Sequence, residues 1–254
     1  MVRGKRLPET KSGAAHVERA VAIEQAPARL ARNDASESKV RIDIRQGRAL
    51  IGRHAQDRSA ELPSIEPLRP VLSKTVPVGP DWIYELKLDG FRGVLAIQNG
   101  RGSFTSKTMK PMPRFQPLAD AIAASLSVRN AIIDGEIVVM GNGGPDFYAL
   151  MFRRGNAGYA GFDLLWLDDR DLRSEPLWRR KRALKKLAAK SSVAYVDHVD
   201  DPRLFDLTVA NDLEGIVAKR RGDPYGVSAQ WIKVKHRGYS QIQGRWELFD
   251  RKRR

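Results

Sequence analysis

From Glu61 onward the chain breaks into short runs rich in β-branched and aromatic residues, separated by Gly, Pro and Asn, and this texture constrains the fold more than any other feature. The strand candidates are WIYELKL, GVLAIQN, GSFTSK, AIIDGEIVVM, AGFDLLWL, EGIVAKR and WIKVK. Two stretches suit helices, RFQPLADAIAASL and PLWRRKRALKKLAAK. Both carry apolar residues at spacings of three and four, and Pro176 stands near the start of the second, where proline is tolerated. Strands mixed irregularly with helices predict an α+β or mixed-sheet domain rather than a regular βαβ series. There is no internal repeat.

The sequence before this region differs in kind. Residues 1–60 are rich in Arg, Ala, Ser and Gly and poor in large apolar side chains, too little to repay the entropy of ordering, so a basic, disordered N-terminal extension is expected. Within it HVERAVAIEQAPARLAR has helical composition interrupted at Pro27, and KVRIDIRQGRALIG alternates like a short hairpin around Gln46 and Gly47.

Lys and Arg number 45 against 30 Asp and Glu, a net charge of +15, and such a field favours phosphate-rich partners over acidic or neutral ones. Adhesion to an anionic membrane surface would call for a basic amphipathic helix with bulky apolar residues. The absence of cysteine removes disulfides, zinc–thiolate sites and thiol nucleophiles together, and it suits a reducing cytoplasm. No apolar run approaches the length of a membrane span, and the first residues lack the apolar core of a secretory signal. A cytoplasmic, nucleoid-associated protein without membrane contact is expected.

The chemistry concentrates between Trp82 and Arg92. Tyr84, Leu86 and Leu88 alternate with Glu85, Lys87 and Asp89, so a strand here buries the first set and presents a lysine and two carboxylates on its other face. Gly90 lets the chain turn, and Arg92 follows within reach of an anionic ligand. Read by itself, the alternation more commonly describes an amphipathic strand with a solvated charged face.

The full pattern of Glu85, Lys87, Asp89, Gly90 and Arg92 resembles the nucleophile motif of the covalent nucleotidyltransferase superfamily: ATP-dependent DNA ligases, RNA ligases and mRNA capping enzymes. Four further segments resemble that superfamily in its order. They supply Asp134, Gly135 and Glu136; then Phe162; then Glu214, Gly215 and Lys219; and finally Lys233 and Lys235, which alternate with Ile232 and Val234 and so share one strand face. Within the superfamily, DFYALM, FDLLWLDDRDL, PLWRRKRAL, EGIVAKR, DPY and WIKVK are most similar to bacterial ATP-dependent DNA ligases of the end-joining type, from about Leu68 to about His236.

The resemblance implies an ATP-grasp-like nucleotidyltransferase domain with mixed or antiparallel sheets flanked by helices, spanning 61–240 and followed by a basic tail at 241–254. It implies that Lys87 takes AMP from ATP as a phosphoramidate with release of pyrophosphate. Glu85 would help to recognise adenine, Phe162 would stack on it, and Glu136 would meet the ribose or the metal region. Lys233 and Lys235 would face the α-phosphate, Lys219 more weakly. Glu136 and Glu214 would hold Mg²⁺ or Mn²⁺, which prefers oxygen ligands. AMP would then pass to a 5′-phosphate at a DNA nick, with Arg92 and Lys107 as candidate phosphate contacts.

Two departures stand out. The family has Arg, a residue, then Gly where this chain has Lys107 and Met109; lysine keeps the charge but loses the planar fork. The stretch after Lys235 is also too short for the OB-fold that closes over ATP in the family. The expectation is a short form that needs a partner chain or an accessory domain in trans. An RNA ligase or capping enzyme, and a non-catalytic nucleic-acid-binding module, are the alternative readings.

Overall fold

The computed structural model describes residues 61–242; the stretches expected before Ala60, and all of the basic tail except Gln241 and Ile242, lie outside them. In chain order the strands are β1 (Val71–Ser73), β2 (Trp82–Leu86), β3 (Phe91–Gln98), β4 (Arg101–Ser106), β5 (Asn130–Gly141), β6 (Gly144–Pro145), β7 (Ala157–Leu167), β8 (Arg170–Asp171), β9 (Ala194–Tyr195), β10 (His198–Val199), β11 (Gly215–Arg220) and β12 (Trp231–Lys235). The α-helices among the described residues are α1 (Gln116–Ser125), α2 (Phe147–Met151), α3 (Leu177–Ala188) and α4 (Leu204–Ala210).

The strands form two sheets. The first runs β1-β12-β11-β2-β10 and is antiparallel except for the parallel pair of β1 with β12. The second runs β4-β3-β5-β7-β8, with β6 added beside β5 and β9 lying parallel to β7. Both predicted helices form, the second from Leu177 with Pro176 at its N-cap.

Alternation then distributes the apolar side chains. The outer face of the second sheet, with Leu95, Ile97, Phe104, Ile133, Ile137 and Leu164, packs against Ile122 of α1 and Leu184 of α3. The outer face of the first, with Tyr84, Ile216 and Val234, packs against Leu204 of α4. The inner faces meet where Val94, Ile132 and Leu165 cluster with Trp231 and Tyr225. Trp231 lies edge-on to Phe162 at 5.8 Å and to Tyr225 at 5.7 Å between centroids, contacts that contribute about 0.5–1.5 kcal/mol each beyond burial.

One expectation is corrected. The strand beginning at Trp82 does not run to Asp89 with a solvated charged face; it ends at Leu86, and Glu85 is 2% exposed. Both faces of β2 are covered, so its alternation does not separate core from solvent. Lys87 to Gly90 are instead the crossover that carries the chain from β2 in the first sheet to β3 in the second. Gly90 is required there by close approach, since a Cβ would stand 2.2 Å from the Ile137 carbonyl oxygen.

Candidate active site

Cross-strand partners share a face, so register places the functional side chains in rows. In the first sheet Glu85 pairs with Val217 and Val217 with Lys233, while Gly215 pairs with Lys235. In the second sheet Arg92 pairs with Glu136 and Glu136 with Ala160. Lys87 joins the first row through the backbone, its N–H donating to the Gly215 carbonyl at 2.9 Å. Gly215 has φ +139°, and a Cβ there would stand 2.1 Å from the Val234 carbonyl oxygen, so only glycine lets β11 and β12 approach this closely beside the lysines.

The centre of the site is a carboxylate between two lysines. Glu214 Oε2 accepts from Lys87 Nζ at 2.6 Å, and its Oε1 lies 3.0 Å from Lys235 Nζ. Burial works to raise the Glu214 pKa, but Lys87 and Lys235 outweigh it and hold the carboxyl below the usual range. Lys87 keeps 22% of its side chain exposed and Lys235 40%, so both amines are reachable. Lys233 is pushed down from the ordinary lysine value, first by burial and then by Lys235, Lys87 and Lys107. Lys107 thus contributes to the field at the site although its own side chain is exposed.

Glu136 faces these cations from the second sheet. Burial raises its pKa to about 7 against the pull of Lys87 and Arg92, and Glu214 and Asp134 add to the rise. Glu136, raised in part by the charge of Glu214, and Glu214 itself would offer oxygen ligands to a divalent cation, and Mg²⁺ takes only one or two protein carboxylates where substrate phosphates complete its shell. The oxygens of Glu136 and Glu214 are of the kind such an ion takes, and among the described residues no group of three or more His, Cys, Asp or Glu is placed to hold a metal on its own. A cation there would compete with Lys87 for Glu214.

Arg92 and Glu85 lie deeper than the sequence indicates. Arg92 forks onto Asp134 through Nε and Nη2, both at 2.6 Å, and Nη2 also reaches the Leu68 carbonyl at 3.3 Å. Its guanidinium carbon is 4.7 Å from the Phe162 ring centroid. Glu85 has each oxygen on a different lysine, Lys181 Nζ at 2.5 Å and Lys219 Nζ at 2.6 Å. Lys219 lies 4.0 Å from the Trp231 ring centroid and 4.5 Å from that of Phe162, and burial lowers its pKa to about 8 despite Glu85. The structure therefore brings Glu85, Lys219, Phe162 and Arg92 into one buried cluster, next to the open group of Lys87, Glu214, Lys233 and Lys235.

Several residues here escape a reading of the sequence. Lys181 is one, although it shares a helical face with the buried Leu177, Arg180, Leu184 and Ala188, and two basic residues on an apolar stripe are a visible anomaly. Tyr225, the last residue of the DPY segment, donates to Asp134 at 2.6 Å, a contact the resemblance does not specify, and Tyr239, which donates to Asp89 at 3.0 Å, carries no such local signal.

Two facing sheets, a lysine on the crossover between them and an opposed array of lysines and carboxylates define a covalent nucleotidyltransferase domain. More narrowly, the chain belongs to the ATP-dependent DNA ligase domain family, whose family model matches residues 69–235. It is 32% identical over 195 residues to the multifunctional non-homologous end joining protein LigD of Pseudomonas aeruginosa, covering 68% of this chain and 22% of that protein. It is 32% identical over 202 residues to DNA ligase C of Mycobacterium tuberculosis, covering 69% of this chain and 56% of that protein. A mycobacterial DNA ligase D complexed with ATP and MES superposes with a TM-score of 0.55 at 26% identity, over 66% of this chain and 60% of that one. The chain thus spans between about a fifth and just over half of these curated relatives. No helix among the described residues is long and apolar enough to cross a membrane.

Proposed function

We propose that this chain is the adenylating domain of an ATP-dependent DNA ligase of the end-joining type, with Lys87 as its nucleophile. The observation that carries the reading is the bridge of Glu214 to Lys87 and Lys235, 2.6 and 3.0 Å away, opposite Glu136 and Arg92 in a groove between two sheets. In the first step the Lys87 amine attacks the α-phosphorus of ATP. Lys87 first yields its ammonium proton to solvent; a P–N bond then forms, the bond to the bridging oxygen breaks with its electron pair leaving on pyrophosphate, and the proton shed by the bonding nitrogen passes to Glu214, its partner at 2.6 Å. Charge spreads over the phosphate oxygens, and Lys233 and Lys235 are the fixed cations that face it. Glu136 and Glu214 would hold a divalent cation, which would supply further neutralisation at the phosphates.

In the second step a 5′-phosphate oxygen at a DNA nick attacks the adenylate, the P–N bond breaks and Lys87 recovers its proton. In the third, the adjacent 3′-hydroxyl attacks the activated 5′-phosphate and AMP departs. Phe162 and Lys219 line the purine end of the groove, Glu85 fixes Lys219, Arg92 stands over the Phe162 ring, and Lys107 lies toward the phosphates. The net charge of +15 supports a nucleic-acid substrate, and the printed names of the relatives support broken DNA and a role in end joining. An accessory end-binding protein or a domain acting in trans belongs to the same reading.

Incubation with α-labelled ATP and Mg²⁺ tests it. The protein should acquire an acid-labile label that nicked DNA chases into AMP and sealed product. Salt-sensitive DNA binding with no label would contradict the enzyme and favour a binding module.

A further inference from the structure

After β12 the chain folds back over the site. The His236 N–H donates to the Glu214 carbonyl at 2.9 Å, and the next few residues then make contacts with three separate pieces of the active site. The Tyr239 hydroxyl donates to Asp89 Oδ2 at 3.0 Å, with both residues buried. Ser240 grips Asp212 through its backbone N–H at 3.0 Å and its hydroxyl at 2.5 Å. The Gln241 amide is used at both ends: Nε2 donates to the Pro145 carbonyl at 2.9 Å, and Oε1 accepts from the Phe147 N–H at 2.9 Å.

These anchors are not equivalent surface contacts. Asp89 belongs to the crossover that carries Lys87, and Asp212 lies two residues before Glu214. Pro145 lies on β6, which pairs with the end of β5, the strand that carries Glu136. Three consecutive side chains therefore tie together the three segments whose side chains meet at the nucleophile. Tyr239 also lines a cleft with Lys87, Asp89 and Glu214.

We infer that Tyr239–Gln241 is a positioning strap for lysine adenylation, with Tyr239 acting on Lys87 through Asp89. The inference rests on the adenylation reading above. A nucleophile works only when held close to its attack geometry, and Lys87 sits on a crossover outside any strand, so its placement depends on what fixes that turn. The Tyr239 hydroxyl fixes one carboxylate oxygen two residues from Lys87. Removing that donor takes one of the contacts that hold the buried carboxylate and so loosens the crossover two residues from Lys87.

The test uses the full chain in single-turnover adenylation across a range of ATP concentrations. Tyr239→Phe removes the hydroxyl alone and should slow labelling at saturating ATP by about tenfold, the scale of one hydrogen bond to a charged group, with little change in the half-saturating ATP concentration. Asp89→Asn should slow it as well, and the double variant should be no slower than the worse single variant. Ser240→Ala, which loosens the strap without touching Asp89, should give a smaller loss in the same direction. A Tyr239→Phe enzyme that labels like wild type, or a double variant showing the full product of the two effects, overturns the strap. Failure of the wild-type chain to label overturns the adenylation reading itself and the strap with it, so the two failures are distinguishable.

Discussion

Lys87 and Glu214 are 127 residues apart in sequence, and their side chains meet at 2.6 Å. The contact exists because β11 pairs with β2 in a register that brings Ile216 opposite Leu86 and Gly215 against Lys87, which leaves Glu214 one residue further on, within side-chain reach of Lys87. The second oxygen of Glu214 goes to Lys235, so one carboxylate sets the spacing of two amines that flank the reacting phosphate in the proposed reaction.

Glu214→Gln removes the charge and keeps the shape. Lys87 and Lys235 then repel one another across a neutral amide, and the proposed cation would lose one of its two carboxylate donors. Adenylation should fall by about 100-fold, the loss typical of removing one preorganised electrostatic partner. Label incorporation in a single turnover measures it, and a rate close to wild type contradicts the assignment of Glu214.

Lys219 sets a pH dependence. Its pKa falls from 10.5 to about 8 on folding, chiefly through burial, so between these values the unfolded chain binds more protons and stability rises with pH. At about 1.4 kcal/mol per unit the gain approaches roughly 3 kcal/mol, most of it between pH 8 and 10. Lys219→Met lacks this term. Urea unfolding at several pH values should show wild type gaining on the variant over that window, and parallel curves would refute the shift.

Arg92 holds the second sheet together at Asp134. Its fork satisfies both oxygens of Asp134, which is fully buried and shares one of them with Tyr225. Arg92→Ala strands a buried charge and should cost about 3–5 kcal/mol of stability. Arg92→Lys keeps the charge but loses the fork and should cost less. Thermal unfolding of the two variants checks the order, and equal melting temperatures contradict it.

Met109 stands where the family has glycine, and it adopts φ 61° in the tight turn after β4, its N–H donating to the Ser106 carbonyl at 2.9 Å. A side chain in the left-handed region costs on the order of 1 kcal/mol, which explains the preference for glycine. Met109→Gly should leave the protein as stable or raise stability by up to about 1 kcal/mol, because the gain is partly offset by the freedom of glycine in the unfolded chain. A clear fall in melting temperature would show that the Met109 side chain has a packing role.

Much of this was legible in the sequence where a feature is local. WIKVK forms β12 with the predicted limits, and the proline-led helix begins where Pro176 places it. The order of the motif residues gave the family. The short strands β1, β9 and β10 and the helix α4 escaped notice because each is held by neighbours distant in sequence and has too few residues to show a period. The burial of Glu85 is hidden from the sequence for a related reason. Alternation identifies a strand but not whether its charged face meets solvent or a second sheet, and its two lysine partners lie 96 and 134 residues further along the chain. The tie between Tyr239 and Asp89, across 150 residues, is of the same kind.

The most direct test of the account is to find the adenylate itself. After incubation with ATP and Mg²⁺, proteolysis at mild pH and mass spectrometry should place a single adenylyl group on the peptide containing Lys87, and Lys87→Ala should carry none. An adenylyl group on Lys219, Lys233 or Lys235 instead, or undiminished modification of Lys87→Ala, would contradict the assignment of the nucleophile.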